Sequence, residues 1–194
     1  MMPFQMIAVG TSLGGFEALK TVLGGLPADF AATVAVVQHR SSEDSEGMLR
    51  LLEPYVRLPI IEVEDKDQIL GGYVYLSPPN YHLVAEQGYF ALSADSPVMH
   101  ARPSIDVLFE SVAESFGRQA VGVLLTGMSC DGTAGLARIK ERGGLAVVQD
   151  PASAEGQRMP QSAIASVAVD KVLPLAEIAP FLVELCAGQR SKAW

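Results

Sequence analysis

Residues 6–26 read MIAVGTSLGGFEALKTVLGGL, and this stretch decides the fold class. The unbroken apolar run at residues 6–9 predicts a buried β-strand, which Gly10 ends. Residues 16–26 then repeat leucine and valine at the spacing of one helical face. A short buried strand that leads directly into an amphipathic helix is typical of parallel sheets covered by helices on both faces.

The same alternation of apolar runs and amphipathic segments recurs along the chain. We predict strands over residues 6–9, 33–38, 58–63, 121–125, 145–149 and 172–173. We predict helices over residues 16–26, 47–52, 104–116, 131–142, 160–167 and 175–187, with Ser104 as a helix cap.

Residues 71–95 break this alternation. Short apolar runs at 73–76, 82–84 and 89–92 are separated by turn residues, which predicts antiparallel hairpin structure. No linker, low-complexity segment or internal repeat divides the chain. The sequence therefore predicts a single domain over residues 1–194, an α/β fold with a doubly wound, mainly parallel sheet, helices on both faces and an antiparallel hairpin insertion.

Composition excludes several classes of function. The 194 residues are 49% hydrophobic and 19% charged, as in ordinary globular proteins, and the net charge of −8 argues against nucleic acid as a partner. No apolar run approaches the ~20 residues that span a bilayer, and the first residues lack the pattern of a secretion signal. Cys130 and Cys186 are too few for a disulfide framework and too isolated for a zinc site. We expect a cytoplasmic protein without membrane insertion.

Three strand ends carry the residue types of nucleophilic acyl transfer. Ligands of such sheets bind at the carboxyl ends of the strands. Ser12 follows the first strand, His39 the second, and Asp131 lies in the loop after the strand at 121–125. These are a nucleophile, a general base and an orienting acid, in the chain order Ser, His, Asp, which differs from the usual order of α/β-hydrolases.

Each of these residues also has an ordinary structural interpretation. Residues 10–14 fit the Gly-x-Ser-x-Gly pattern on a strand-to-helix turn, where helix N–H groups suit a developing oxyanion, but a phosphate-binding turn or a plain tight turn fits as well. His39 could be a structural histidine with satisfied hydrogen bonds. Asp131 could simply cap the helix that follows it.

Five stretches of the chain stand out together: IAVGTSLGGFEAL at residues 7–19, VVQH at 36–39, RPSIDVLF at 102–109, VGVLLTGMSCDG at 121–132, and Met159-Pro160. In this order they resemble the catalytic domain of the chemotaxis protein-glutamate methylesterases (CheB type).

The resemblance implies a function. Members of that family hydrolyse γ-glutamyl methyl esters on the cytoplasmic helices of chemoreceptors, deamidate certain glutamines there, and need no metal or organic cofactor. By this match Ser12 is the nucleophile, His39 the general base and acid, and Asp131 the orienting acid. The Met128 N–H, and with it that of Leu13, forms the oxyanion hole. Thr11 and Arg102 are expected to bind substrate.

Three departures from the family pattern bear on activity. Leu13 replaces the threonine that usually follows the nucleophile, and Ser129 replaces a glycine of the aspartate loop, which would cost about 1 kcal/mol if that position needs φ > 0. The family's regulatory receiver domain has no counterpart in these residues. The chain is then either a piece of a longer protein or a free-standing esterase controlled in another way, for example by a separate regulatory protein.

Two other functions stay open on the sequence. One is an esterase or amidase that acts on a different substrate with the same chemistry. The other is a binding module that keeps the fold without turnover. The presence of all three triad residue types disfavours it, and Leu13 and Ser129 keep it open.

Overall fold

A computed structural model describes residues 4–39 and 47–187 as a layered α/β structure. Its strands are β1 Met6–Thr11, β2 Thr33–Gln38, β3 Ile60–Glu62, β4 Val74–Leu76, β5 His82–Ala85, β6 Phe90–Ser93, β7 Ala120–Leu124, β8 Leu145–Gln149 and β9 Lys171–Leu173. Its helices are α1 Gly15–Gly24, α2 Met48–Leu52, α3 Ile105–Phe116, α4 Thr133–Glu141, α5 Arg158–Ser166 and α6 Leu175–Ala187. Every strand and helix predicted from the sequence is confirmed, with boundaries that differ by at most a few residues.

Seven strands form one sheet in the order β3-β4-β2-β1-β7-β8-β9, and every neighbouring pair is parallel. From the central strand β1 the chain first builds outward through β2. It later returns to the other side of β1 to add β7, β8 and β9. The sheet is therefore doubly wound, and its direction of winding reverses between β1 and β7. Ligand sites of open α/β sheets lie at such a reversal.

One part of the hairpin prediction is wrong. The run at residues 73–76 was expected to pair antiparallel, but β4 lies between β3 and β2 and is parallel to both. Only β5 and β6 form an antiparallel pair, in a separate two-stranded sheet with His82 opposite Ser93. Strand β4 is fully buried, which is the normal condition of a strand inside a parallel sheet.

The core consists of two apolar layers, one on each face of the sheet. Alternate residues of β1 divide between them, since Met6 and Ala8 face one layer and Ile7 and Val9 face the other. The first layer also contains the buried faces of α3, α4 and α5 and of the β5–β6 pair. The second contains those of α1 and α6. This packing holds the loops after β1, β2 and β7 side by side at one edge of the sheet.

No helix in the described part of the chain is both long enough and apolar enough to cross a membrane.

Candidate active site

Strand register brings Ser12 and His39 together. The β1–β2 ladder ends with Thr11 opposite Gln38, so the next residue of each strand lies at the same level of the sheet edge. The His39 N–H donates to the Thr11 carbonyl over 3.0 Å, and the Gln38 side chain donates to the Ser12 carbonyl over 2.9 Å. Within residues 4–39 and 47–187 the Ser12 hydroxyl has no hydrogen-bond partner. Serine and histidine thus stand as neighbours without yet being hydrogen-bonded, which is common in unliganded sites.

His39 and Asp131 are in direct contact. His39 Nε2 lies 2.7 Å from Asp131 Oδ2, the imidazole is 16% exposed, and the carboxylate is fully buried. When Nε2 carries the proton of this hydrogen bond, Nδ1 keeps its lone pair. Nδ1 is then the nitrogen that can accept a proton from another group.

Asp131 caps a helix, but a different helix from the one that follows it. Its carboxylate accepts the backbone N–H groups of Ile105 (2.7 Å) and Asp106 (3.0 Å) at the start of α3, and the Ser104 hydroxyl over 2.8 Å. The cap position of α4 is Gly132, which has no side chain to offer. Burial acts to raise the pKa of Asp131, but the hydrogen bonds from His39 and from the start of α3 outweigh it and hold that pKa below its ordinary value.

Asp106, in the first turn of α3, caps α4 in the same way. Its buried carboxylate accepts the N–H groups of Gly132 (2.9 Å) and Gly135 (2.7 Å) at the start of α4. Each of the two helices is therefore capped by an aspartate from the start of the other. Burial, together with the adjacent charge of Asp131, raises the pKa of Asp106 to about 6. Sequence analysis did not identify Asp106, because an aspartate in the first turn of a helix is ordinary.

His82 supports the same corner and is not part of the reacting group. Its Nδ1 accepts the Ser104 N–H over 3.1 Å, and its Nε2 lies 3.2 Å from the Ser96 carbonyl oxygen. Because Nδ1 accepts a hydrogen bond, the proton of the neutral ring is on Nε2. Both ring nitrogens are engaged and the ring is buried, as expected for a structural histidine.

Thr126 ties the serine loop to the end of β7. Its carbonyl accepts the Ser12 N–H and the Thr11 hydroxyl, both over 2.9 Å. Its hydroxyl donates to the Leu13 carbonyl over 2.8 Å and accepts the Gly156 N–H over 2.8 Å. Sequence reasoning missed Thr126, although its place directly after a buried strand was a usable signal.

The fully buried side chain of Thr11 has no surface to offer a substrate. Its hydroxyl is also engaged with Thr126. Thr11 is therefore placed to hold the serine loop against Thr126, whereas the sequence led us to expect a substrate contact.

Two backbone N–H groups, one in the loop after β1 and one in the loop after β7, have no acceptor among the described residues. In the described part of the chain, neither the Leu13 N–H nor the Met128 N–H makes a hydrogen bond. Leu13 and Met128 are 48% and 53% exposed, respectively. Gly14 has φ of +74°, a left-handed conformation that turns the chain from Leu13 into α1. Two free donors beside a serine are what an oxyanion hole requires.

A pocket of about 370 Å³ opens beside His39. It is lined by His39, Met99, His100, Ala101, Arg102, Pro103 and Ser129. Arg102 lines this pocket, and its Nη1 donates to the carbonyls of Ala94 (2.9 Å) and Asp95 (3.0 Å), so it holds the loop before it. The Arg102 Nε is buried without a hydrogen-bond partner among the described residues.

Ser129 carries no backbone strain, since it is not among the residues with positive φ. Serine at this position therefore does not carry the cost of about 1 kcal/mol that a positive φ would impose. Its hydroxyl accepts the Asp131 N–H over 3.3 Å, so serine adds a hydrogen bond that glycine could not make. The neighbouring Cys130 is partly exposed, and hydrogen bonds from Ser162 and Arg158 outweigh desolvation and lower the pKa of its thiol.

No group of three or more His, Cys, Asp or Glu side chains within residues 4–39 and 47–187 is arranged to hold a metal ion.

Comparison with known proteins identifies relatives along nearly the whole chain. A provisional protein-glutamate methylesterase/protein-glutamine glutaminase of Leptospira interrogans is 45% identical over 185 residues, covering 95% of this chain and 96% of that protein. Protein-glutamate methylesterase/protein-glutamine glutaminase 2 of Cupriavidus metallidurans is 41% identical, and the protein-glutamate methylesterase FrzG of Myxococcus xanthus is 39% identical. The matches cover 96% and 94% of this chain, respectively, but only 55% of each of these two relatives.

The fold agrees with these matches. The crystal structure of the Thermotoga maritima CheB methylesterase catalytic domain superposes with a TM-score of 0.90 at 31% identity, over 95% of this chain and all of that one. The family model for CheB methylesterase matches residues 7–182. This chain belongs to the CheB methylesterase family.

Proposed function

We propose that this chain is a serine hydrolase that removes methyl groups from glutamate γ-methyl esters of chemoreceptor proteins. The observation that carries the proposal is the 2.7 Å contact between His39 and the buried Asp131, with Ser12 at the same level of the sheet edge. The names of the relatives support a glutamate methyl ester of a protein as the substrate, and those that include a glutaminase support deamidation of glutamine at the same site. The partners are then the cytoplasmic helices of the receptors, and the compartment is the cytoplasm.

The first half of the reaction transfers the glutamyl group to the enzyme. The Ser12 hydroxyl oxygen attacks the ester carbonyl carbon while His39 Nδ1 takes the hydroxyl proton. The N–H groups of Leu13 and Met128 stabilise the negative oxygen of the tetrahedral intermediate. The carbon–methoxy bond then breaks, and methanol leaves with the proton held by His39.

The second half returns the enzyme to its starting state. A water molecule gives a proton to His39 Nδ1 and attacks the acyl-enzyme carbonyl. The bond to Ser12 breaks, the serine recovers its proton from His39, and the glutamyl side chain is released as a carboxylic acid that loses its proton to the solvent. Throughout, Asp131 keeps the proton of the neutral ring on Nε2 and stabilises the imidazolium that forms. A glutamine side chain would follow the same steps with ammonia as the first leaving group.

The test is methanol release from a methyl-esterified receptor signalling fragment. We expect Ser12→Ala to abolish release while circular dichroism and Tm stay close to those of the unmodified protein. Ser166→Ala is the matched control, because Ser166 is an exposed serine at the end of α5 and should keep full activity. Release that persists in Ser12→Ala would refute the mechanism. No release from the folded unmodified protein would refute the substrate.

A further inference from the structure

A tight turn at residues 98–101 adopts an unfavourable backbone conformation. Its two central residues, Met99 and His100, have φ of +50° and +65°. Two backbone hydrogen bonds close it, from Val98 N–H to Ala101 O (3.1 Å) and from Ala101 N–H to Val98 O (2.8 Å). Turns with positive φ at both central positions strongly prefer Asn-Gly, because the left-handed region is disfavoured for residues with a larger side chain.

Nothing in the described fold explains why methionine and histidine occupy these positions. The turn is closed by backbone groups alone, which Asn-Gly would supply equally well. Met99 is 56% exposed and belongs to neither core layer. The His100 ring makes no hydrogen bond within residues 4–39 and 47–187. Strain that packing does not explain is characteristic of functional positions.

The turn forms one wall of the pocket beside His39. Met99 and His100 line that pocket together with Arg102 and Ser129. The Nη1 hydrogen bonds of Arg102 to Ala94 and Asp95 fasten the chain that leads into the turn. The two exposed side chains are therefore presented on a fixed support next to the reacting groups.

We propose that Met99 and His100 are specificity-determining residues that contact the polypeptide on either side of the glutamyl ester. This inference rests on the proposed function. Met99 offers an unbranched thioether that packs on an apolar side chain of the substrate. His100 offers a ring N–H to a carbonyl or carboxylate oxygen of the substrate. Neither residue takes part in bond making or breaking.

The test replaces the turn with the residues its backbone prefers, Met99→Asn with His100→Gly. Relief of the left-handed strain should raise Tm by about 2–4 °C, so loss of folding will not obscure the result. KM for the methyl-esterified receptor fragment should rise about tenfold, with less than a threefold change in kcat. With a single methyl-esterified glutamate as the substrate, which lacks flanking residues, the turn replacement should raise KM by less than it does with the receptor fragment. The two single variants then assign the loss to each side chain.

Lys66→Gly is the matched control. Lys66 also has a left-handed φ, of +74°, but it does not line the pocket, so KM should not change. The same turn replacement in Ser12→Ala protein allows the Kd of the receptor fragment to be measured without turnover. An unchanged KM and Kd would overturn the proposal. If the unmodified protein releases no methanol but the turn replacement still weakens binding, the proposed function fails and the recognition by the turn stands.

Discussion

Replacing Asp106 with asparagine should stabilise the protein above pH 6 and have little effect near pH 4. The Asp106 carboxylate is buried, and one of its oxygens accepts the N–H groups of Gly132 and Gly135. An asparagine carbonyl can accept the same two hydrogen bonds. The substitution therefore removes a buried negative charge beside Asp131 while it keeps the cap of α4.

The magnitude follows from the pKa of Asp106, which burial raises from 3.8 to about 6. A pKa that is higher in the folded state favours the protonated carboxyl there. The resulting stability is fully present below pH 3.8 and is lost as the pH rises through about 6. At about 1.4 kcal/mol for each pH unit, the loss reaches about 3 kcal/mol. Relaxation of nearby dipoles reduces this figure, and we expect a gain of about 2 kcal/mol for Asp106→Asn at pH 8.

Urea denaturation at pH 8, 6 and 4 measures this free energy of unfolding directly. The advantage of the variant should shrink as the pH falls and nearly vanish at pH 4. Asp170→Asn is the matched control, because Asp170 also accepts a backbone N–H, from Ala146, but is paired with Lys140. That variant should not gain stability at pH 8. A variant at Asp106 that is less stable than the unmodified protein at pH 8, or a gain independent of pH, would refute the reasoning.

Three further substitutions test other parts of the structure. His39→Gln removes the proposed base and should lower kcat at least a thousandfold in the methanol assay, so retention of a tenth of the activity would contradict its role. Gly135→Ala places a methyl group 2.5 Å from the Phe109 Cβ and should lower the free energy of unfolding by about 1–3 kcal/mol. An unchanged Tm would show that α3 and α4 can move apart to accept the methyl group at no cost. Thr11→Val removes the hydrogen bond to Thr126 and should lower the free energy of unfolding, measured by urea denaturation, by about 1 kcal/mol. KM should change less than threefold, and a tenfold rise in KM would instead indicate that Thr11 contacts the substrate.

The sequence predicts the strands of the parallel core well because each is marked by its own continuous run of apolar residues. The β-branched run of β2 and the apolar run of β8 match their predicted limits, Thr33–Gln38 and Leu145–Gln149, residue for residue. Strand β4 shows where this local signal ends. Its short apolar run specifies a strand, but its direction depends on pairing with β2 and β3, and a local pattern contains no information about partners.

The candidate site divides in the same way. The positions of Ser12, His39 and Asp131 follow from the rule that strand ends meet at one edge, although their chemical roles stay predictions. The hydrogen bonds that hold them could not be predicted. Thr126 reaches Leu13 across 113 positions of the chain, and Asp131 caps a helix that begins 26 residues before it. Contacts of this kind depend on the finished packing of α3 against α4.

The reciprocal caps of α3 and α4 make enzymatic activity a sensor of one half of the molecule. In the proposed mechanism Asp131 orients His39, and its carboxylate also accepts hydrogen bonds from the start of α3. Loss of packing in the α3–α4 layer would therefore stop turnover, even in a molecule whose α1–α6 layer is still packed. A fall in activity during partial heating could therefore precede any loss of packing in the second layer.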